Sequence, residues 1–539
     1  MKLKKSILYT LALGASSVAL SSAAFADGHA GELKMGVAAL ATSADPHFHR
    51  AGFNFDLREN TSDALVYSNG ATGELEPRLA SSWETVSDSN WLFSLNGDAK
   101  FPNGNSLGAD DVIYSLCRVR NVPNSPGLYT SFIGSITNVS DAGDGKVSIE
   151  TNGPAPILLR NLSNIGIVEN PTGKTLTFDT ETCGNDNWLE TTKFNNGTTA
   201  AGIGHYNIKS FTPDVEIVLE RNDSYYGEAA GYETVTIKAL SDNSARIAAL
   251  LGGAVDVINA VPINGVESIQ AAGGFDIITK PSSLLIFLLA DQAQEPTPKV
   301  SGTEGKNPFM DVRVRRALNL AIDRNEIAET VMGGFANPAS QIVVEGIDGH
   351  NTDLADYEYD PEEAKRLLTE AGYPDGFSFT LNAPSDRYVN GPQVAQAVVG
   401  MLSKVGLDVS LETFPKSIYF KQANEFQYSI YMAGAAADTG EGSSILINLA
   451  GTRDKSRGSG GANRGRYSSE ITDGLLADAR STLEDDVRND LIAKAGAQAR
   501  ADEGQIPLYH ELGAWAARSD VHFEGNSNLL NIYYTARPK

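Results

Sequence analysis

GELEPRLASSWE, from Gly73 to Glu84, opens the most specific series of sequence blocks in this chain. Three further blocks follow it in close succession, namely WLFSL at 91–95, KFPNG at 100–104 and ADDVIYSL at 109–116. A single block of this kind matches many sequences by chance, but an ordered series does not. Such blocks are mostly core faces and helix caps, so they identify a scaffold and leave the ligand open.

The series extends in both directions from this stretch. It begins at Ala44-Asp45-Pro46 and continues with GIGHY at 202–206, LERN at 219–222, YYG at 225–227, residues 246–257 and residues 311–324. In this order the blocks resemble the family 5 extracellular solute-binding proteins, the group of dipeptide, oligopeptide and nickel receptors of ABC importers. Ile203 and His205 depart from the family's Gly-Thr-Gly-Pro-Tyr, which puts only the local loop geometry in doubt.

The resemblance implies an α/β fold of the two-lobed periplasmic binding protein type, class II and cluster C-like. An extra domain is inserted in the first lobe, and the chain crosses a hinge twice, near residues 283–288 and 507–510. The implied boundaries are 27–69, 204–287 and 508–539 for lobe I, 70–203 for the inserted domain and 288–507 for lobe II. Closure of such a hinge buries a ligand.

The N-terminus has the pattern of a secretory signal peptide. Three lysines among the first five residues precede an apolar run at 7–20 that is too short for a permanent membrane span. The small-x-small pattern at 24–26 predicts cleavage after Ala26, so residues 1–26 are the signal peptide and the mature chain starts at Asp27. No cysteine stands at this site for lipid attachment. We therefore expect a periplasmic protein.

Composition narrows the class of partner. The chain has 539 residues and a formal net charge of −24, which becomes more negative once the lysines of the signal peptide are removed. A strongly acidic surface repels nucleic acid and anionic membranes. We expect a monomer with no nucleic-acid partner, in which the acidity mainly serves solubility.

The only two cysteines are Cys117 and Cys183. In an oxidising compartment such a pair can close one disulfide. Two buried free thiols packed as small hydrophobic groups are the alternative. The sequence leaves both possibilities open.

Motifs for catalysis are missing from the sequence. No His-Glu-x-x-His and no Gly-x-Ser-x-Gly motif occurs, and Gly173-Lys174-Thr175 lacks the phosphate-loop glycine because Val168 stands there. The His47-x-His49 pair is a weak metal signal, and a solvated loop is its default interpretation. We predict no catalytic residue, metal or cofactor, and hence no enzyme, although a triad assembled only in the fold keeps a periplasmic hydrolase as an alternative.

Candidate ligand contacts come from the resemblance. Asp438, in the segment 434–443, matches the amine-binding Asp of peptide receptors, although Ala435 replaces the family's Trp. Arg387, in the segment 385–390, matches an Arg that binds the ligand's carboxylate, for which a planar guanidinium suits well. Tyr129 is a candidate contact from the inserted domain. Each has a structural alternative, namely a turn residue, a solvated surface group and ordinary packing.

The resemblance thus implies a substrate-binding receptor that captures peptides, or solutes of peptide size, and delivers them to an ABC permease and ATPase complex at the inner membrane. The same scaffold could bind an opine, a sugar derivative, a haem or a metal chelate. A chaperone-like binder of unfolded chains is a further alternative.

Local patterns also predict individual elements. Residues 146–151 alternate around Val147 and Ile149, as in a half-buried strand, and a second strand is predicted at 215–220. Asp360 followed by Pro361 predicts the start of a helix that ends at Gly372.

Overall fold

The computed structural model describes residues 30–539 except 71, 72, 180, 182, 186, 438 and 456. With the domain boundaries expected from the sequence, lobe I begins with β1 (Ala30–Val37), α1 (Gly52–Thr61) and β2 (Val66–Ser68). The inserted region contains β3 (Leu75–Pro77), β4 (Ala80–Ser87), β5 (Asn90–Leu95), α2 (Ala109–Arg118), β6 (Ile136–Gly143), β7 (Lys146–Thr151), α3 (Leu158–Leu162) and α4 (Thr191–Asn195). The chain then returns to lobe I.

The second part of lobe I comprises β8 (Tyr206–Thr212), β9 (Glu216–Arg221), β10 (Tyr232–Ala239), α5 (Asn243–Leu251), β11 (Val257–Asn259) and α6 (Val266–Ala272), followed by the long β12 (Phe275–Ala290). Lobe II contains β13 (Val300–Ser301), α7 (Val312–Ala321), α8 (Arg324–Glu326), β14 (Ala336–Pro338), α9 (Pro361–Glu370), β15 (Ser378–Pro384), α10 (Gly391–Lys404), β16 (Asp408–Phe414), α11 (Lys416–Asn424), β17 (Ile430–Ala435), α12 (Gly442–Leu449), α13 (Glu470–Ser481) and α14 (Asp485–Ala501). The chain ends with β18 (Ile506–Arg518), β19 (Val521–His522) and β20 (Arg537–Pro538).

One large sheet runs through both lobes in the order β13-β15-β17-β12-β18-β11-β1-β10-β9-β8, with β16 on β15 and β14 on β18. The antiparallel strands β12 and β18 lie at its centre and connect the lobes. Their pairing shifts register between Pro281 and Leu285, so the ladder is irregular where the chain crosses between lobes. A locally disrupted ladder bends more easily than a regular one, and this suits a hinge.

Each region has its own buried apolar cluster. The inserted region packs its sheet β4-β5-β7-β6 against α2, with Phe93, Val147 and Ile149 fully buried. The predicted strand at 146–151 is confirmed as β7, and its buried positions alternate because successive side chains of a strand point to opposite faces. The second predicted strand begins one residue late, at Glu216. Separate cores allow the lobes to move as bodies.

The predicted helix after Asp360 is confirmed as α9. The Asp360 side chain accepts a hydrogen bond from the backbone N of Glu363 at 2.9 Å, and Pro361 occupies the first turn. The helix ends at Glu370, with Gly372 in the left-handed region at φ 96°. Capping groups satisfy backbone donors that a helix start leaves unpaired, so this helix is specified locally.

The two cysteines form a disulfide between the end of α2 and the segment before α4. Cys117 and Cys183 lie 6.1 Å apart between Cα atoms and 66 residues apart in sequence. The bond closes a long loop within the inserted region, and such a cross-link restricts the unfolded chain.

Candidate functional site

Two adjoining cavities lie where lobe I, the inserted region and lobe II meet. Their volumes are about 230 and 40 Å³, and both are lined by Ser68, Gly440 and Asn528. The larger cavity also meets the hinge at residues 280–283 and lobe II at residues 344–347. Because both lobes supply walls, movement at the hinge changes the volume and accessibility of this cleft.

One ion pair crosses the cleft. Nη2 of Arg160, on α3 of the inserted region, lies 2.6 Å from Oδ2 of Asp348 in lobe II. Nη1 of Arg160 donates to the carbonyl oxygens of Gly73 at 3.1 Å and Thr439 at 3.5 Å. Asp348 is 41% exposed, so water screens the pair and its contribution is about 1 kcal/mol or less. The lobes therefore touch in this conformation through a contact that is readily broken.

The lobe I wall rests on a buried polar network. Tyr67 lines the smaller cavity, and Cζ of Arg78 lies 4.3 Å from the centre of its ring. Arg78 is 3.5 Å from Asp63, which also accepts hydrogen bonds of 2.7 Å from the hydroxyls of Tyr225 and Tyr226. Burial raises the pKa of Asp63, and the Arg78 charge opposes that change. The network holds Tyr67 in place beside the cavity.

Arg58 and Glu59 also line the smaller cavity, and the sequence patterns did not single them out. They form an ion pair of 2.7 Å with side chains only 4% and 9% exposed. Nη1 of Arg58 donates to the carbonyl oxygen of Ser163 at 3.2 Å, which ties α1 to the inserted region. An Arg-Glu dipeptide on a helix carries no motif, so only its location in the fold reveals this role.

Asp438, the predicted amine-binding residue, lies outside the described residues. Its neighbours Ala437 and Gly440 lie at the hinge and at the cavities. The backbone N of Ala437 donates to Oγ of Ser283 on the hinge at 3.3 Å, and Gly440 lines both cavities with φ 68°. A side chain at Gly440 would approach Nη1 of Arg160 to 3.1 Å, so a glycine suits this position.

Arg387 lies on the loop between β15 and α10 and is exposed. Its Cζ is 5.4 Å from the centre of the Tyr388 ring, and its charge favours the ionised form of Glu511 on β18. The next residue but one, Val389, lines a third cavity together with Glu511. The structure therefore brings Arg387 to the lobe II side of the hinge, and its role in binding stays a prediction.

Tyr129 lies in the core of the inserted region and not on the cleft wall. Its side chain is fully buried, its hydroxyl lies 3.3 Å from the carbonyl oxygen of His49, and burial raises its pKa. Its ring packs against Phe55 and Phe132 with centroid distances of 5.7 and 5.9 Å. The placement on the cleft wall is corrected here because no part of Tyr129 is accessible, and we do not retain it among the ligand contacts.

The solvated loop predicted for the two histidines is wrong for His47, which is fully buried. Its Nε2 lies 2.7 Å from the carbonyl oxygen of Gly166, and burial lowers its pKa to about 4. Nδ1 of His49 instead lies 3.3 Å from Oγ1 of Thr42. Within the described part of the chain, no group of three or more His, Cys, Asp or Glu residues could hold a metal ion. No described helix is both long and apolar enough to cross a membrane.

Comparison with known proteins agrees with this architecture. Residues 74–457 match the family described as bacterial extracellular solute-binding proteins, family 5 Middle. The chain is 26% identical over 519 residues to the periplasmic oligopeptide-binding protein OppA of Salmonella typhimurium, covering 91% of this chain and 89% of OppA. It is 25% identical over 491 residues to heme-binding protein A of Haemophilus influenzae, covering 86% of this chain and 83% of that protein.

A solved structure supports the fold. The periplasmic binding protein DppA from Helicobacter pylori, in complex with the peptide STSA, superimposes with a TM-score of 0.72 over 95% of this chain and 98% of that chain, at 22% identity. The family match spans well over half of the sequence. Proteins of this family are periplasmic transport receptors and not enzymes. The chain therefore belongs to the bacterial extracellular solute-binding proteins of family 5.

Proposed function

We propose that this chain captures peptides, or solutes of peptide size, in the cleft between its lobes and delivers them to the permease and ATPase of an ABC importer. The observation that carries this proposal is the pair of cavities walled by both lobes at an irregular two-strand hinge.

Two charged residues have opposite roles in the proposed site. Asp438 binds the ligand's ammonium group, and Arg387 binds its carboxylate. The positions of Ala437 and Gly440 beside the cleft support the role of Asp438. The location of Arg387 next to the hinge supports its role in binding the carboxylate. Ala435 in place of a tryptophan leaves room for a ligand larger or differently shaped than a standard dipeptide.

The test is a thermal-shift screen of the purified chain from Asp27 to Lys539 against peptides of two to five residues, followed by titration calorimetry. A ligand at 100 times its Kd adds about 2.7 kcal/mol of stability and raises the unfolding midpoint. Asp438→Asn should weaken binding of peptides with a free amine more than tenfold, because a charged amine then loses its partner.

Asp486→Asn is the matched control, since Asp486 is exposed on α14, away from the cavities. Acetylation of the peptide's amine should weaken binding to the unaltered protein and have little further effect on Asp438→Asn. Equal affinity of both variants for free-amine peptides would remove Asp438 from the site. The absence of any peptide-induced shift would overturn peptide capture.

A cargo other than a peptide is the second candidate. The similarity to heme-binding protein A favours it, because one scaffold carries different ligands within this family. Haem, nickel chelates, opines and oligosaccharides therefore belong in the same screen. A shift with one of these and none with peptides would keep the receptor function and replace its ligand.

Export and assembly complete the proposal. The signal peptide is cleaved after Ala26, and the mature receptor works as a monomer in the periplasm with the lobe boundaries expected from the sequence. N-terminal sequencing of the periplasmic protein should begin at Asp27, and light scattering should give the mass of one chain.

A further inference from the structure

A third cavity of about 110 Å³ lies beside the hinge and is walled by both lobes. Lobe I contributes residues 259–261, Ile263 and Leu529, and lobe II contributes Met332, Phe335 and Val389. The hinge strand β18 passes along it from Glu511 to Trp515. The cavity neighbours the cleft, since Leu529 lines the third cavity and Asn528 lines the other two.

The lining of this third cavity is mostly apolar. Nearly all of its side chains are apolar, and the only charged side chain among its described lining residues is Glu511. Apolar walls favour the aliphatic or aromatic part of a ligand. A single carboxylate favours a donor group, and a positively charged one most strongly. The cavity therefore suits a group with an apolar stem and a cationic end.

The backbone of Glu511 is held firmly. Its carbonyl oxygen accepts a hydrogen bond of 2.5 Å from Oγ of Ser282 on the other hinge strand, and it pairs with Ala336 of β14. The direction of its side chain is thus set by the hinge strands. Ser282 lines the large cleft cavity, so this contact connects Glu511 to the proposed binding site.

One oxygen of the Glu511 carboxyl group lacks a hydrogen bond within the described residues. Oε2 of Glu511 is shielded from solvent and has no hydrogen-bond partner within the described residues. Burial raises the pKa of this carboxyl to about 7, and the nearby Arg387 offsets only part of that change without forming an ion pair. A buried acceptor without a partner destabilises the fold. Because Glu511 lines the cavity, a ligand that donates a hydrogen bond to its carboxyl group there offsets this loss.

We propose that Glu511 and the surrounding apolar cavity form a subsite for a basic side chain of the bound ligand, one with an apolar stem that ends in an ammonium or guanidinium group. The inference rests on the proposed capture of peptides, because a lysyl or arginyl side chain is then the natural occupant. It makes this receptor selective for peptides that contain a basic residue.

The test compares tripeptides of alanine that carry one lysine, at the first, second or third position, with the same peptides carrying norleucine. Norleucine keeps the stem and removes the charge. By calorimetry, at least one lysine peptide should bind the unaltered protein ten times more tightly than its norleucine partner. Glu511→Gln should reduce this ratio to within a factor of two, with norleucine affinity nearly unchanged.

Two further variants guard against indirect effects. Val389→Phe fills the cavity from an exposed position and should abolish the lysine preference while Glu511 is intact. Glu358→Gln removes an exposed carboxylate outside the lining of the third cavity and should leave the preference unchanged. An unchanged lysine preference in both Glu511→Gln and Val389→Phe would overturn the subsite.

Failure of the subsite can be told apart from failure of peptide capture. Tight binding of both peptide series without a lysine preference overturns the subsite and leaves peptide capture intact. If no tripeptide binds, hexylamine serves as the probe, with its binding followed through the fluorescence of Trp515 in the cavity wall. Saturable binding that Glu511→Gln abolishes supports the subsite, and no hexylamine binding overturns it. Peptide capture is judged separately, by the screen of peptides of two to five residues.

Discussion

Two buried carboxylates in this molecule have opposite surroundings. Asp45, at the seam between lobe I and the inserted region, forms a bidentate pair with Arg118 at 2.8 and 2.6 Å and accepts a third bond from Thr191 at 2.8 Å. Burial alone would raise the pKa of Asp45, but the Arg118 charge brings it below its usual value. Glu511 at the hinge lacks such a partner among the described residues, and burial raises its pKa to about 7.

The difference separates structural charge from charge available for binding. Both side chains of the Asp45 pair are 0% exposed, so the pair is complete without any ligand and serves the fold. Removal of one partner from such a pair is strongly destabilising. Glu511 instead lines an interlobe cavity and has a carboxyl oxygen without a partner among the described residues.

The largest expected effect comes from breaking the complete pair. Arg118→Met leaves the Asp45 carboxylate buried without its partner and should lower the free energy of unfolding by about 3–5 kcal/mol. Urea denaturation followed by circular dichroism measures it. Arg313→Met is the control, because its pair with Asp311 is partly exposed and should contribute little to stability. Similar losses in both variants would contradict the comparison.

The disulfide should have the next largest effect because it braces the same region. Cys117 precedes Arg118 at the end of α2, so the bond holds this side of the seam. Replacement of both cysteines by alanine should lower the free energy of unfolding by about 2–4 kcal/mol. Dithiothreitol should have a similar effect on the unaltered protein and none on the variant. An unchanged denaturation midpoint in both cases would contradict the structural role.

The smallest effect concerns pH and Glu511. Between pH 4.5 and about 7 the folded protein keeps a proton on this carboxyl that the unfolded chain has lost. This group therefore reduces stability as the pH rises through that window. Glu511→Gln has no titrating carboxyl at this position and so loses no stability in this window. The free energy of unfolding of the variant, relative to that of the unaltered protein, should therefore increase by about 1–3 kcal/mol from pH 4.5 to pH 8.

The measurement is urea denaturation of both proteins at several pH values. The charged and titratable groups that act on Glu511 or are affected by it are Arg387, Tyr388 and Tyr509. Buried His47 and His510, with pKa values lowered to about 4, have the opposite pH dependence, and the difference between the two proteins cancels their contribution. A difference that does not change with pH would contradict the burial of an unpaired Glu511.

Much of the scaffold could be predicted from the sequence because its signals are local. The cap at Asp360 involves residues within one helical turn, and the alternation in β7 reflects the geometry of a single strand. The ordered blocks on both sides of GELEPRLASSWE indicated the family and its two-lobed fold. The binding site was harder to predict from the sequence. Asp438 and Arg387 were proposed only through the family resemblance, and Tyr129 is buried in the structure.

The sequence by itself determined the fold class, the helix caps, the strand alternation and the family of binding receptors, because these depend on short-range patterns and on ordered motifs. Only the tertiary structure decided that Cys117 pairs with Cys183, that Arg160 meets Asp348 across the cleft and that Glu511 lines an apolar cavity. The physical reason is distance along the chain. Partners separated by 66 or 188 residues meet only when whole lobes have folded, and the burial that changes a carboxyl's pKa arises from that packing.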